Sequence, residues 1–328
     1  MPHPDRRCER RAGACAACPC IGRPVFDYPG AFDPFASRLY PPQTVVSLVP
    51  SVTESLYELG LGARVLGVTD YCTRPAEQVQ YQTRVGGTKN PDIAKIAALA
   101  PELVIVNVEE NRRQDADALL AAGLNVWVTH PRTVRDAINL LWTIMSVFEA
   151  PERSERVRHL ERMYDWVSSA TRAKERKGRL PTVFAPIWLD PLMTFNGDTY
   201  MHDILHVCGA LSSFADRERR YPLAADIGDA EAYAPDDPRA AGRDTRYPRI
   251  RLEEVEAAQP DIILLPDEPF RFDEQHRSMF ESLNIPAARH GRIHLVDGSL
   301  LTWHGTRLAA ALQELPVLLE VPHVDTLR

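Results

Sequence analysis

Residues 93–106 read IAKIAALAPELVIV, and residues 252–265 read LEEVEAAQPDIILL. The two stretches align without gaps, and each predicts a short helix, a turn formed by proline and an acidic residue, and a buried strand. Their offset of 159 residues is far longer than the repeating unit of a solenoid. We therefore predict two domains of similar α/β build. The alternative is a chance match, because the hydrophobic patterns of helix–strand units are generic.

The N-terminal lobe is predicted over residues 43–132, where short apolar runs alternate with helical segments. The runs are Val45–Val49, Val65–Thr69, Leu103–Asn107 and Val126–Thr129. Continuous apolar runs, rather than alternating patterns, are typical of parallel strands with helices on both faces of the sheet. Ser51 and Thr53 follow the first run, and residues of these types commonly cap the start of a helix.

A connecting segment is predicted over residues 133–179. After one helical stretch that begins at Val134, residues 152–177 contain neither glycine nor proline and carry one narrow apolar stripe. The stripe consists of Val157, Leu160, Tyr164 and Val167. A helix of this length would reach roughly 39 Å, about the height of a small domain. We expect it to join the two lobes as a rigid spine.

The C-terminal lobe is predicted over residues 180–322 and begins with the strand Thr182–Ala185. Residues 224–247 are dense in Asp, Pro, Gly and Arg, which predicts an inserted surface loop with little regular structure. The tripeptide Arg-Tyr-Pro occurs at residues 220–222 and again at residues 246–248. The predicted fold class is thus α/β, with two lobes joined by a long rigid helix.

The two ends of the chain show no regular pattern. Residues 1–42 are rich in Pro, Gly, Arg and Cys and are interpreted as an irregular extension, and residues 323–328 as a tail. Four cysteines lie in the extension, namely Cys8, Cys15, Cys18 and Cys20. The spacing of Cys15 and Cys18 fits part of a zinc or iron–sulfur site, but no second pair follows at zinc-finger spacing. Reduced thiols in an irregular segment are the alternative.

Composition and charge exclude several classes of function. The 328 residues carry a formal net charge of −7, so there is no broad basic surface and no nucleic-acid partner is expected. We expect no membrane insertion, because no apolar stretch is long enough to enter a bilayer. The basic first residues are not followed by the apolar segment that a secretory signal requires. We therefore predict a cytoplasmic location, and we expect a monomer.

Acidic residues follow corresponding strands of the two predicted lobes. The repeat places Glu109 against Glu268, each just beyond the carboxyl end of its strand, where open α/β sheets bind ligands. If the lobes face each other, these two turns form opposite walls of one cleft; otherwise the acids cap helices and face water. The predicted wall residues are Glu109, Glu110, Asn111, Arg112, Asp267 and Glu268.

Aromatic and polar residues at other strand ends complete the predicted cleft. These candidates are Asp70, Tyr71, Trp188, Asp190, Trp303 and His304. Aromatic faces with a few polar groups at the rim suit a flat, largely apolar chelate ring, although Trp188 and Trp303 could equally be core residues. His304 could coordinate iron or cobalt, since neutral imidazole is a common metal ligand, or it could bond to the backbone.

His202 and His206 offer a competing site. Their spacing matches that of a zinc-protease helix, with Asp203 in place of the usual glutamate. Helical geometry puts Ile204 and Leu205 in the buried stripe and the two histidines on an outer flank. A metallohydrolase is therefore kept only as an alternative.

The chain resembles the helical-backbone metal-receptor family, the solute-binding proteins that include cobalamin, haem and ferric-siderophore binders. The matching stretches are Val45–Gly60, Gly67–Tyr71, Val85–Asp92, Pro101–Asn111 and Thr302–Gly305. Within the family the chain is most similar to the cobalamin-binding-protein-like branch. The resemblance implies two Rossmann-like lobes of the periplasmic-binding-protein type, a rigid connecting helix, and cobalamin or another metal chelate in the cleft. It implies no catalytic residues.

The resemblance also implies a partner. Exported members of the cobalamin branch dock on an ABC permease through one glutamate on each lobe; Glu253 occupies the corresponding place in the second lobe, but its repeat counterpart is Ala94. Thr88 and Lys89 stand where a cobalamin binder can present an aromatic residue, and they are further candidates for ligand contact. We predict a non-enzymatic binding protein for a corrinoid or other metal chelate. The alternative is a cytosolic enzyme or cofactor chaperone on the same fold.

Overall fold

The computed structural model describes residues 28–36, 40–234 and 236–321. The four N-terminal cysteines and the predicted tail lie outside the described residues. The strands are β1 (Val45–Ser47), β2 (Val65–Val68), β3 (Thr83–Arg84), β4 (Gly86–Gly87), β5 (Asn90–Pro91), β6 (Leu103–Asn107), β7 (Val126–Thr129), β8 (Thr182–Phe184), β9 (Trp188–Leu189), β10 (Leu192–Met193), β11 (Leu211–Ser212), β12 (Ile262–Pro266) and β13 (Ile293–Val296). The α-helices are α1 (Pro50–Glu58), α2 (Ala76–Val79), α3 (Ile93–Ala98), α4 (Arg113–Ala121), α5 (Val134–Val147), α6 (Ser154–Glu175), α7 (Tyr200–Val207), α8 (Leu223–Asp226), α9 (Leu252–Ala258), α10 (Glu274–Glu281), α11 (Pro286–Arg289), α12 (Ser299–Thr302) and α13 (Leu308–Leu318).

Two separate parallel sheets organise these elements. The first has the strand order β3-β2-β1-β6-β7 and the second the order β11-β8-β12-β13, with parallel pairing in both. The repeated strands β6 and β12 each lie beside the first strand of their sheet, and each is preceded by a repeated helix, α3 or α9. The predicted two-lobed α/β fold is therefore confirmed. We name the first sheet and its helices lobe one and the second lobe two; the limits 43–132 and 180–322 remain our proposal for their bounds.

Alternate residues of the central strands face different hydrophobic clusters. In β6, Leu103 and Ile105 lie in a cluster that both lobes share, whereas Val104 and Val106 lie in a cluster confined to lobe one. Strand β12 divides in the same way between the shared cluster and one confined to lobe two. Successive side chains of a strand point to opposite faces, so each sheet is covered on both sides, as the apolar runs predicted.

The connecting helices are part of the shared core. Helix α6 has 22 residues and a length of about 33 Å. It is shorter than predicted at both ends, because Pro151–Arg153 form a separate 3-10 turn and the helix ends at Glu175. The predicted apolar stripe is confirmed, since Val157, Leu160 and Val167 are buried and Tyr164 packs against the same cluster. Helix α6 thus packs in the hydrophobic cluster that both lobes share, and it is not an isolated helix between them.

Helix α1 begins one residue before its predicted capping residues. Val49 precedes the helix without a side-chain cap, and Pro50 is its first residue, a position where the missing N–H of proline costs nothing. The prediction that Ser51 or Thr53 caps this helix is wrong. Both lie inside it, and the Thr53 hydroxyl donates to the carbonyl oxygen of Val49 at 3.1 Å.

The predicted insertion is irregular but anchored at both ends. Near its start, the buried Asp226 carboxylate accepts a hydrogen bond from Arg217 at 3.0 Å and one from the backbone N–H of Arg249 at 2.6 Å. Near its end, Tyr247 packs against the shared hydrophobic cluster. The described residues between these anchors form no helix or strand.

Candidate functional site

The carboxyl ends of the two sheets face each other. Arg74, in the loop after β2, forms an ion pair of 2.9 Å with Asp297, which directly follows β13. Glu110, which lies beyond the end of β6, is close enough to Glu268, beyond β12, for the charge of Glu268 to act on it. These contacts bring the two acidic turns close to each other where the lobes meet.

Glu110 and Glu268 are two partly buried carboxyl groups. Burial raises the pKa of Glu110, and the charges of Glu268 and Glu109 raise it further, while Lys89 opposes the shift. Burial also raises the pKa of Glu268, whose carboxylate accepts a hydrogen bond of 2.9 Å from the Thr302 hydroxyl. The protonated forms of both groups are therefore favoured relative to exposed glutamates.

Glu109 has a different environment from its neighbour. Its carboxylate accepts hydrogen bonds from Tyr247 at 2.8 Å and from His130 at 3.1 Å, and it pairs with Arg246. Burial alone would raise the pKa of Glu109, but these hydrogen bonds and the charge of Arg246 outweigh burial and hold the pKa at about 2. Glu109 is therefore a carboxylate at any physiological pH.

Asn111 ties together the loops that surround Glu109. Its side-chain amide donates to the carbonyl oxygens of Leu48 at 3.2 Å and Thr88 at 2.9 Å, and its amide oxygen accepts from the N–H of Asn107 at 2.8 Å. Asn111 is buried, so its hydrogen-bonding groups serve the scaffold.

Three other predicted residues lie around this scaffold. Thr88 is buried beside Asn111. The Lys89 ammonium group donates to the Glu109 carbonyl oxygen at 2.5 Å. Arg112, which directly precedes helix α4, is exposed and forms an ion pair of 2.9 Å with Asp115 in the first turn of that helix.

Lobe one presents an exposed aromatic residue at the end of β2. Tyr71 is 63% exposed, and its ring lies beside Gly87, where an added Cβ would lie 3.3 Å from it. Asp70 is also exposed. The ring face and the carboxylate are both accessible to a ligand.

Lobe two presents an aromatic pair beyond the ends of β8 and β12. Trp188 is 44% exposed and packs edge-on against Phe270 with 5.5 Å between ring centroids. The indole N–H donates to the carbonyl oxygen of Asp190 at 3.0 Å, which fixes the ring orientation. Asp267 is exposed, and its carboxylate accepts a hydrogen bond from the Gly298 N–H at 2.7 Å.

Trp303 and His304 are buried where lobe two meets helix α1. The guanidinium groups of Arg74 and Arg307 lie 6.0 and 5.9 Å from the Trp303 ring. His304 lies 3.3–3.4 Å from the Ser51 hydroxyl, and burial lowers its pKa to about 4. The imidazole is thus neutral and enclosed between the lobes.

The His202 and His206 pair is not arranged as a metal site. Asp203, which would be the general base, accepts a hydrogen bond of 2.7 Å from the Val134 N–H at the start of α5. His206 pairs with Glu175 at 2.9 Å. Throughout the part of the chain that the structure describes, no group of three or more His, Cys, Asp or Glu could hold a metal ion. This geometry disfavours the metallohydrolase alternative.

Several residues that contact these candidates, or that join the lobes beside them, were absent from the sequence prediction. They are Arg74, His130, Arg246, Tyr247, Phe270 and Asp297. Asp297 and His130 directly follow strands, so the strand-end rule could have found them. The second Arg-Tyr-Pro tripeptide was visible in the sequence, but nothing in an irregular insertion indicated which surface it contacts.

Known proteins of similar sequence and fold include several binding proteins. An ABC transporter substrate-binding lipoprotein of Bacillus subtilis is 28% identical over 84% of this chain and 79% of its own length. A vitamin B12-binding protein of Photorhabdus laumondii is 26% identical over 57% of this chain and 67% of its own length. The periplasmic vitamin B12-binding protein of Vibrio cholerae has a similar fold, with a TM-score of 0.63 and 18% identity over 85% of this chain and 97% of that structure.

The predicted cytoplasmic location is wrong. The relatives include a substrate-binding lipoprotein and periplasmic binding proteins, and they point to an extracytoplasmic location. The lack of an apolar segment near the first residue was the basis of that prediction, and it does not outweigh the family assignment. None of the described helices is both long and apolar enough to cross a membrane.

A family model for periplasmic binding proteins matches residues 45–299. The matched region includes both sheets, the connecting helices and all but two of the predicted ligand-contact residues, and it confirms the resemblance inferred from sequence. A ligand-binding function follows, because the family consists of binding proteins rather than enzymes. The chain belongs to the periplasmic binding protein family.

Proposed function

We propose that this protein binds a metal chelate of the corrinoid or tetrapyrrole type between its lobes and delivers it to an ABC importer. The observation that carries the proposal is that each lobe exposes an aromatic ring near its strand ends, Tyr71 on lobe one and Trp188, which packs against Phe270, on lobe two. Aromatic faces suit a flat, largely apolar ring. The vitamin B12-binding and haem-binding names of similar proteins support the same ligand class.

The proposed partner is the permease of an ABC importer. Glu253 is exposed in the first turn of α9, and Ala94 is exposed at the equivalent place in α3. Lobe two can therefore form a glutamate–arginine contact with the permease through Glu253, whereas lobe one has no glutamate at the equivalent position. We propose that docking relies on lobe two more than on lobe one.

A fluorescence titration tests the ligand class directly. Purified protein is titrated with cobalamin, cobinamide, haem and ferric siderophores while tryptophan emission is followed. We expect at least one of these compounds to bind below high micromolar concentration and to be recovered chemically unchanged. Absence of binding by all four would refute the ligand class, and conversion of the bound compound would favour the alternative of an enzyme on this fold.

Replacing Trp188 with alanine is expected to lower the affinity for the bound chelate by tenfold or more, which is a loss of at least about 1.4 kcal/mol of binding free energy. The substitution removes an accessible aromatic face from lobe two. Trp166→Ala is the matched control, because Trp166 is 74% exposed on helix α6. Equal affinity of the two variants in isothermal titration would remove Trp188 from the site.

Replacing Glu110 with glutamine is expected to raise the melting temperature at pH 7.5 by roughly 2–4 °C. In the unfolded chain this carboxyl titrates near 4.3, and burial raises its pKa in the folded protein. Folding therefore favours the protonated form, so this group's contribution to stability grows as pH falls from neutral toward the ordinary glutamate range. The advantage of the Glu110→Gln variant should shrink over the same pH range.

Thermal melts at several pH values provide the measurement for Glu110. Glu314→Gln serves as the control, because Glu314 is exposed on α13. A Glu110→Gln difference that stays constant from pH 7.5 to pH 5 would show that the charge of Glu110 is not unfavourable in the folded protein.

A further inference from the structure

The end of the insertion is attached to lobe two. The Asn196 N–H donates to the carbonyl oxygen of Arg246 at 2.8 Å, and the Thr194 N–H donates to that of Pro248 at 3.1 Å. The Arg246 guanidinium is oriented by hydrogen bonds of 2.8 and 2.7 Å to the Asp244 carboxylate. This segment therefore moves with lobe two.

Glu109 is attached to lobe one. Its backbone N–H donates to the side-chain oxygen of Asn107 at 2.8 Å, and its carbonyl oxygen accepts from Lys89 at 2.5 Å. His130, which directly follows β7, binds the Glu109 carboxylate at 3.1 Å. The carboxylate is thus held from lobe one before any contact from lobe two is considered.

Arg246 and Tyr247 reach from lobe two to this carboxylate. The Tyr247 hydroxyl donates to Oε2 of Glu109 at 2.8 Å, and the Arg246 guanidinium pairs with Oε1. The side chains of Arg246 and Glu109 are only 16% and 31% exposed. Water screens such a pair less than an exposed one, so it contributes more to the contact between lobes than the Arg74–Asp297 pair, which is about 40% exposed.

We propose that Arg246 and Tyr247 form a clamp on Glu109 that holds the two lobes together, and that this clamp opens when a ligand enters or leaves the cleft. The gating role rests on the proposed function, whereas the contact between lobes does not. Both oxygens of the Glu109 carboxylate are engaged by protein donors, so the clamp assigns Glu109 to the lobe contact rather than to the ligand. Removing Arg246 leaves the partly buried Glu109 carboxylate without its arginine partner, and removing the charge of Glu109 leaves Arg246 paired only with Asp244 on lobe two. Either change favours separation of the lobes.

Hydrogen–deuterium exchange on the ligand-free full chain tests the lobe contact. Arg246→Ala is expected to accelerate exchange at least fivefold in peptides covering residues 107–113 and 244–250. Glu109→Gln should have the same effect, and the double variant should add little, because both substitutions break one interaction. Unchanged exchange at residues 107–113 in Arg246→Ala, or additive effects in the double variant, would overturn the clamp.

Two further variants make the exchange experiment specific. Arg243→Ala is the matched control in the same insertion, since Arg243 is exposed and lies over the Tyr221 ring at 4.8 Å; it should leave exchange at residues 107–113 unchanged. Tyr247→Phe removes only the hydroxyl donor and keeps the packed ring, so it gives a smaller acceleration and remains informative if Arg246→Ala does not fold.

The gating role is tested by the dissociation rate of cobalamin, measured by stopped-flow absorbance. Cobalamin is expected to leave Arg246→Ala at least tenfold faster than Arg243→Ala. Equal dissociation rates would overturn the gating role. The contact between the lobes would still be tested by the exchange experiment. If cobalamin does not bind the wild-type protein but exchange responds as expected, the contact between the lobes is supported. The proposed gating of cobalamin is then rejected.

Discussion

Replacing Asp226 with alanine is expected to lower the free energy of unfolding by about 3–5 kcal/mol, because it removes one partner of a buried ion pair. The Asp226 side chain is fully buried, and that of its partner Arg217 is 16% exposed. The carboxylate also accepts hydrogen bonds from the backbone N–H groups of Arg220 and Arg249, at 2.9 and 2.6 Å. Alanine leaves both donors without this acceptor and leaves Arg217 with Glu254 as its remaining carboxylate partner.

Urea denaturation followed by circular dichroism measures the effect of Asp226→Ala. Asp229→Ala is the matched control three residues away, because Asp229 pairs with Arg251 and both side chains are at least half exposed. The free energy of unfolding of this control should fall by no more than about 1 kcal/mol. Equal losses in the two variants would show that Asp226 does not anchor the insertion.

Replacing Glu54 with alanine is expected to destabilise the protein by a similar amount, about 3–5 kcal/mol. Glu54 of helix α1 pairs with Arg307, which lies in the 3-10 turn before α13. The two side chains are only 6% and 13% exposed. Burial raises the pKa of Glu54 even though Arg307 lowers it, so the ion pair does not fully offset the desolvation of the carboxylate.

The raised pKa of Glu54 leads to a second expectation at the same pair. Replacing both partners by apolar residues, as Glu54→Leu with Arg307→Met, should restore stability to within about 1 kcal/mol of the wild type, because no unpaired buried charge remains. Glu58→Ala is the control one turn further along α1, where the Arg156 partner is half exposed. A double variant as unstable as Glu54→Ala would contradict this account of the pair.

The local elements of the fold could be predicted from short stretches of sequence. Strand β6 has the bounds Leu103–Asn107 that its apolar run predicted, and β7 likewise has the predicted bounds Val126–Thr129. The repeat correctly indicated two sheets of related build, because a helix, a turn and a buried strand need only neighbouring residues to specify them. The first turn of α1 was placed less well, since capping by Ser51 competes with Pro50 one residue earlier.

Partners of the charged residues could not be predicted in this way. Glu109 was correctly placed beyond a strand end, but its contact with Arg246 joins residues 137 positions apart. That contact depends on the path of an irregular insertion and on the angle between the lobes. His304 and Trp303 were placed at a strand end by the same rule, yet the packing of α1 against the C-terminal segment encloses them.

The sequence by itself determined the main strands and helices of each lobe, the family, and the acidic residues that lie beyond strand ends, because each depends on hydrophobic runs and motifs within a few tens of residues. Only the tertiary structure decided which carboxylates are paired, which aromatic faces stay accessible and where the lobes touch. These features depend on how α5, α6 and α13 pack in the hydrophobic cluster that both lobes share, and that packing is a property of the whole chain.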